Sequence, residues 1–94
     1  MEARLMHTSE EGIICVRGVS LNKKLRKAIM YFTDNGTIEI RIGTTDGACL
    51  VKATSSSSIK LSRKVLKNVS KPVDLFFKLK SNDGSLQFMD WSLK

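Results

Sequence analysis

Reactive side chains are few in this chain, and their spacing argues against catalysis. The one histidine, His7, sits in the polar and acidic stretch Met1–Gly12. No cluster of cysteine or aspartate flanks it at metal-binding intervals. No motif ties a nucleophile to it, and the chain has neither a glycine-rich phosphate loop nor a G-x-S-x-G elbow. The nine aspartates and glutamates are scattered, so no carboxylate pair is set apart for glycoside hydrolysis. A solvated histidine and a non-enzymatic domain are the expectation. Cys15 and Cys49 are too few for a disulfide scaffold and lack a C-x-x-C interval. Each lies in an apolar stretch, which suits a buried thiol. A disulfide between them requires neighbouring strands and an oxidising compartment.

The cations are more informative. Sixteen lysines and arginines give a formal charge of +7. They gather in two groups, Lys23, Lys24, Arg26 and Lys27, then Lys60, Arg63, Lys64, Lys67 and Lys71. Such an excess attracts an anionic partner, whether nucleic acid, acidic polysaccharide or a membrane surface. The plainer reading is a solvated rim, because charge alone carries no specificity. Single-stranded nucleic acid is usually held by cations interleaved with exposed aromatics. Here the aromatics are embedded in strand patterns and read as core. No run approaches the roughly eighteen apolar residues of a membrane span. No basic segment followed by an apolar one opens the chain, so the sequence reads as cytoplasmic as written or as a module from a longer secreted protein.

These groups must be carried by elements. Ninety-four residues with 41% hydrophobic content suit a single domain over 1–94 with a modest core. Ile13–Val19 reads as a strand with a kink or bulge at Gly18. Ser20–Phe32 is ambiguous. Leu21, Leu25, Ala28, Ile29 and Phe32 fit helical spacing, with Ser20 or Asn22 as cap. The company of short strands around it argues for a strand instead. Residues 34–36 form a turn, and Thr37–Ile42 is a strand with Ile38, Ile40 and Ile42 inward and Glu39 and Arg41 outward. After a turn at 43–47, Ala48–Ala53 is its partner, with Cys49 and Val51 on one side and Leu50 and Lys52 on the other. Thr54–Ser58 is a polar, exposed and mobile loop. Ile59–Leu61 suits a short strand. Ser62–Ser70 suits either a helical turn capped by Ser62 or an irregular strand and loop.

The end of the chain reads as a closing hairpin. Val73, Leu75, Phe77 and Leu79 alternate with Asp74, Phe76, Lys78 and Lys80. Residues 82–84 supply the tight turn, and Leu86–Trp91 returns. Three glycine-containing turns between segments of strand length predict an all-β antiparallel sandwich.

Four blocks of this sequence, in order, resemble family 6 carbohydrate-binding modules. Gly36–Gly47 is similar to that family's "G-T-I-E-I-R" strand and turn. Val73–Lys78 resembles its "D-L-Y-L-V-F-K" strand, and Leu86–Trp91 its closing "l-F-N-l-D-W" strand. Val16–Leu25 is similar to its "f-k-n-V-D-L-G" segment. The resemblance implies a jelly-roll-like β-sandwich of the galactose-binding type, with 20–32 as a turn and a strand. It implies binding of a polysaccharide, as an appendage to a glycoside hydrolase. The chain departs from the family in three ways. Its amino-terminal portion is shorter by about one hairpin. Thr54–Ser58 holds only Thr and Ser where the family places a Trp. Phe88 stands where the family has its binding Asn. The sugar-contact candidates are therefore Phe88, Tyr31 and Arg41. The family's structural calcium ion implies Asp90 and Glu2 as ligands, although Arg4 stands where a second carboxylate is expected; calcium needs several oxygens.

The reading is a non-catalytic polysaccharide-binding domain, with +7 favouring an acidic or sulfated glycan. One alternative is a basic interaction module for nucleic acid or a protein partner. The other is a structural domain that forms a homodimer through exposed strands, covering a core left open by the missing hairpin.

Overall fold

A computed structural model describes residues 2–4, 11–33, 36–82 and 86–94, with the backbone alone for 2–4, 11 and 57. Its elements are β1 (Glu2–Arg4), β2 (Glu11–Val19), β3 (Lys27–Phe32), β4 (Gly36–Ile42), β5 (Cys49–Ala53), β6 (Ser57–Lys60), α1 (Arg63–Lys67), β7 (Val73–Ser81) and β8 (Phe88–Leu93). They build two four-stranded sheets, β1-β8-β3-β6 and β2-β7-β4-β5, and every pairing is antiparallel. The predicted all-β sandwich is the observed fold. Apart from β4 and β5, successive strands alternate between the sheets. No helix of the described residues is long and apolar enough to cross a membrane.

The core lies between the inward faces. Ala28, Met30 and Phe32 of β3 alternate with half-buried Ile29 and exposed Tyr31, a period of two. Leu75, Phe77 and Leu79 of β7 and Ile38 and Ile40 of β4 supply the facing layer. Phe77 sits at the centre, its ring centroid 5.7 Å from Phe88 and 4.9 Å from Trp91. Burying one such side chain contributes about 1.5–3 kcal/mol.

That aromatic contact corrects the expected closing hairpin. β7 pairs with β2 and β4, whereas β8 pairs with β1 and β3. The two strands belong to opposite sheets and meet face to face. Both carry their fully buried apolar residues on one side, and stacking those sides across the sandwich buries them together. Asp83 and Gly84 of the expected turn lie outside the described residues, as do Asp34 and Asn35.

The segment 20–32 is a turn followed by a strand, not a helix. Asn22 Oδ1 accepts the Lys24 N–H at 2.7 Å, and the Leu25 N–H donates to the Asn22 carbonyl at 3.0 Å. This local hydrogen bonding competes with helix initiation. β3 then gains partners on both sides, which a helix of the same residues lacks. The expected kink at Gly18 is present: φ is +65° there, the register shifts between Val16 and Val19, and the Gly18 N–H donates to Asp74 Oδ1 at 3.1 Å.

Three further expectations change. Leu50 does not share the outer side with Lys52. The register shifts between Ile40 and Arg41, where Arg41 pairs with Cys49. The bulge turns Leu50 inward, so Leu50 and Val51 are both buried. The polar loop is shorter than 54–58, because Ser57 and Ser58 pair with Met30 and Ile29. Ser56 is tethered: its hydroxyl accepts the Phe32 N–H at 2.6 Å and donates to the Phe32 carbonyl. Within 62–70 the five residues Arg63–Lys67 are helical, with Ser62 Oγ accepting the Val65 N–H at 3.3 Å as the cap. The open core also is not found among the described residues. Their large exposed apolar side chains are Ile13, Tyr31 and Met89, each on an outward strand position.

Candidate functional site

The sequence-predicted contact residues do not converge. Phe88 is fully buried against Phe77, which overturns the expectation that it offers a stacking face to a sugar. Its position at the start of β8 points it into the core, where an aromatic is more stable than the polar residue it replaces in the resemblance. Tyr31 is 55% exposed on the outer face of β1-β8-β3-β6, opposite Asp90. Arg41 lies on the outer face of the other sheet. Tyr31 and Arg41 therefore face away from each other across the sandwich.

Arg41 is engaged with its own sheet. Its guanidinium donates to Glu39 Oε2 at 2.9 Å and to the Gly47 carbonyl at 3.0 Å. The Glu39 hydrogen bond raises the Arg41 pKa above its ordinary value, so the group stays charged at every practical pH. This fork braces the β4–β5 turn.

Asp90 is half-buried and accepts the Trp91 N–H at 3.0 Å on Oδ1. Glu2 stands opposite Ser92, two residues along β8 from Asp90; its carboxylate lies outside the described residues. No group of three potential metal ligands occurs among the described residues.

The cysteines are both free thiols. Cys15 is exposed, contrary to the buried thiol expected; Cys49 is half-buried and donates to the Val51 carbonyl at 3.5 Å. They stand on β2 and β5, the two edges of one sheet. Three strand intervals of about 4.8 Å separate them, against the roughly 7 Å limit for a bridge.

The end of the sandwich where the resemblance places sugar contacts is occupied with its own bonds. The Gln87 N–H donates to Thr33 Oγ1 at 2.9 Å, the Thr33 N–H donates to the Gln87 carbonyl at 3.0 Å, and Ser56 holds the backbone of Phe32. A different surface is open. The outer face of β2-β7-β4-β5 carries a cleft of about 660 Å³ lined by Gly12, Ile13, Thr37, Glu39, Lys52, Lys78, Leu79 and Lys80. Register builds it: Ile13, Lys78, Glu39 and Lys52 stand side by side across the four strands. Half-buried Phe76 occupies the next row, between Cys15 and Arg41. Ile13 is 56% exposed, an apolar patch among charges. Among the described side chains that line it, three ammonium groups face one carboxylate, and that carboxylate is held by Arg41. Lys78 reaches Asp46 only at 3.8 Å near the surface, a pairing that contributes little. The cleft thus offers hydrogen-bond donors around an apolar strip, with a net positive field.

The outward sides of Glu39 on β4 and Lys78 on β7 were readable in advance from alternation; the exposure of Ile13 on β2 was not. Their assembly into one row depends on strand order, which single-strand periodicity does not carry. Compared with known proteins, the chain matches no family model and no curated sequence.

Proposed function

We propose that this chain is a non-catalytic polysaccharide-binding domain, similar to family 6 carbohydrate-binding modules and working as an appendage to a glycoside hydrolase. The observation that carries the reading is the cleft on β2-β7-β4-β5, where Lys78 and Lys80 flank exposed Ile13 and Lys52 stands at the far edge of the same face. A sugar ring presents hydroxyls at its rim and C–H groups on its faces. Donors around an apolar strip match both. The sandwich itself supports the reading: we take its strand order, β1-β8-β3-β6 over β2-β7-β4-β5, as that of a two-sheet jelly roll, an architecture that hosts lectins among other functions. The excess of ammonium groups in the cleft favours a glycan carrying carboxylates, since charge-assisted hydrogen bonds are the stronger ones.

A glycan array spanning neutral xylans and glucans and carboxylated polygalacturonate tests this, followed by calorimetry on the strongest hit. Lys78→Glu reverses the central charge of the cleft without touching the core. It is expected to weaken binding about 10- to 100-fold, the loss of one charged hydrogen bond at 1.5–3 kcal/mol. No binding to any polysaccharide, or binding indifferent to Lys78→Glu, sinks the proposal.

A further inference from the structure

The two basic groups of the sequence become one surface in the fold. Lys27, first in β3, stands opposite Lys60, last in β6. The Leu61 N–H donates to the Arg26 carbonyl at 2.9 Å, and the N–H groups of Arg26 and Lys27 donate to the Lys94 carbonyl at 2.7 and 2.9 Å. The Arg63 guanidinium donates to the carbonyls of Lys23, at 2.8 Å, and Leu25. Those bonds fasten the start of α1 to the turn before β3, with Lys64 on the same helix. Arg26, Lys27, Lys60, Arg63, Lys64 and Lys94 are all exposed.

Little negative charge answers them. The two ion pairs among the described residues, Arg41–Glu39 and Lys78–Asp46, both lie on the β2-β7-β4-β5 sheet. Of the nearby aspartates among the described residues, Asp74 is turned to the Gly18 N–H and Asp46 to Lys78, while Asp90 shares a pocket with Lys94. Held together by backbone hydrogen bonds, the ammonium groups keep a local positive potential that a linear polyanion relieves by releasing its counterions.

We propose that this basic end is a second binding surface, for an acidic polysaccharide bearing sulfate or carboxylate groups. Two features separate it from a nucleic-acid surface. The exposed aromatic among the described residues, Tyr31, shares a pocket on the outer sheet face with Asp90 and Lys94, and a single ring offers no run of stacking platforms for successive bases. The helix is five residues long and does not make a groove-reading element. The choice of a glycan also rests on the polysaccharide reading given above. The surface is independent of the cleft, which is formed by different residues.

The test is binding of dextran sulfate, with uncharged dextran and a random-sequence DNA duplex as comparisons, between about 50 and 200 mM salt. The intact chain is compared with Lys27→Glu/Lys60→Glu/Lys64→Glu and, separately, with Lys78→Glu in the cleft. All four positions are on the surface, and circular dichroism checks that each variant is folded. Expected are binding to dextran sulfate but not dextran, affinity that falls with salt, and a loss of about tenfold or more in the triple variant, whether or not Lys78→Glu also weakens binding through the cleft. A triple variant that binds like the parent overturns the proposal. So does tighter binding of the duplex than of dextran sulfate, which assigns the surface to nucleic acid. Loss confined to Lys78→Glu removes the second surface while leaving the cleft reading intact.

Discussion

Truncating Phe77 to alanine probes the centre of the sandwich. The ring is fully buried in β7 and lies 5.7 Å from Phe88 and 4.9 Å from Trp91, both on β8 of the other sheet. β8 is held from both sides by β1 and β3, so its rings cannot follow the lost side chain without dragging their sheet. The cavity stays largely open, and the expected cost is about 3–5 kcal/mol. A domain of 94 residues has about 5–14 kcal/mol in all. The variant therefore folds with much of its margin gone. With a urea slope of about 1.5–2 kcal/mol per molar, the midpoint falls by roughly 2–3 M. Far-UV circular dichroism is the readout, because Trp91 is the only tryptophan and is itself part of the contact. A double-mutant cycle with Phe77→Leu and Trp91→Leu should return a coupling of about 0.5–1.5 kcal/mol. A truncation cost below about 1.5 kcal/mol, or a coupling indistinguishable from zero, would refute the placement of β7 and β8 face to face.

Two further outcomes follow from backbone geometry. At Gly36 a Cβ would stand 2.1 Å from the Lys80 carbonyl oxygen and 2.5 Å from Leu86 Cδ1. Gly36→Ala must push β4 from β7, costing about 1–3 kcal/mol and lowering Tm by roughly 4–8 °C for each kcal/mol; an unchanged melting curve contradicts the close approach. Cys15 should react with a maleimide in the folded protein well before Cys49, and oxidation should leave the monomer without an internal disulfide. Mass spectrometry finding a Cys15–Cys49 bridge would contradict the order β2-β7-β4-β5.

How much was legible depends on the range of the interaction involved. The strand Thr37–Ile42 was readable because alternation with period two is written in consecutive residues, and β4 matches it within one residue. The kink at Gly18 was readable because glycine alone takes a positive φ without strain. Residues 20–32 were not decided by periodicity, since Leu25, Ala28, Ile29 and Phe32 satisfy a helical stripe while Ala28, Met30 and Phe32 satisfy a strand. Their hydrogen-bond partners decide it, and those are Ser57–Lys60 and Phe88–Leu93, far along the chain. Leu50 was misplaced because a bulge shifts the face of a residue without marking the sequence. Phe88 was assigned to the surface by its place in a motif and moved to the core by packing.

The sequence by itself determined the all-β class, the alternating strands and the net positive charge. Each is a property of neighbouring residues or of composition. Only the tertiary structure decided that β7 and β8 lie in opposite sheets, that Cys15 and Cys49 stand at opposite edges, and that Ile13, Lys78, Glu39 and Lys52 share one row. It also joined Lys27 to Lys60, two groups more than thirty residues apart in the chain. Strand order sets all of these, and strand order is chosen by burying every apolar face at once, a condition that no single segment contains.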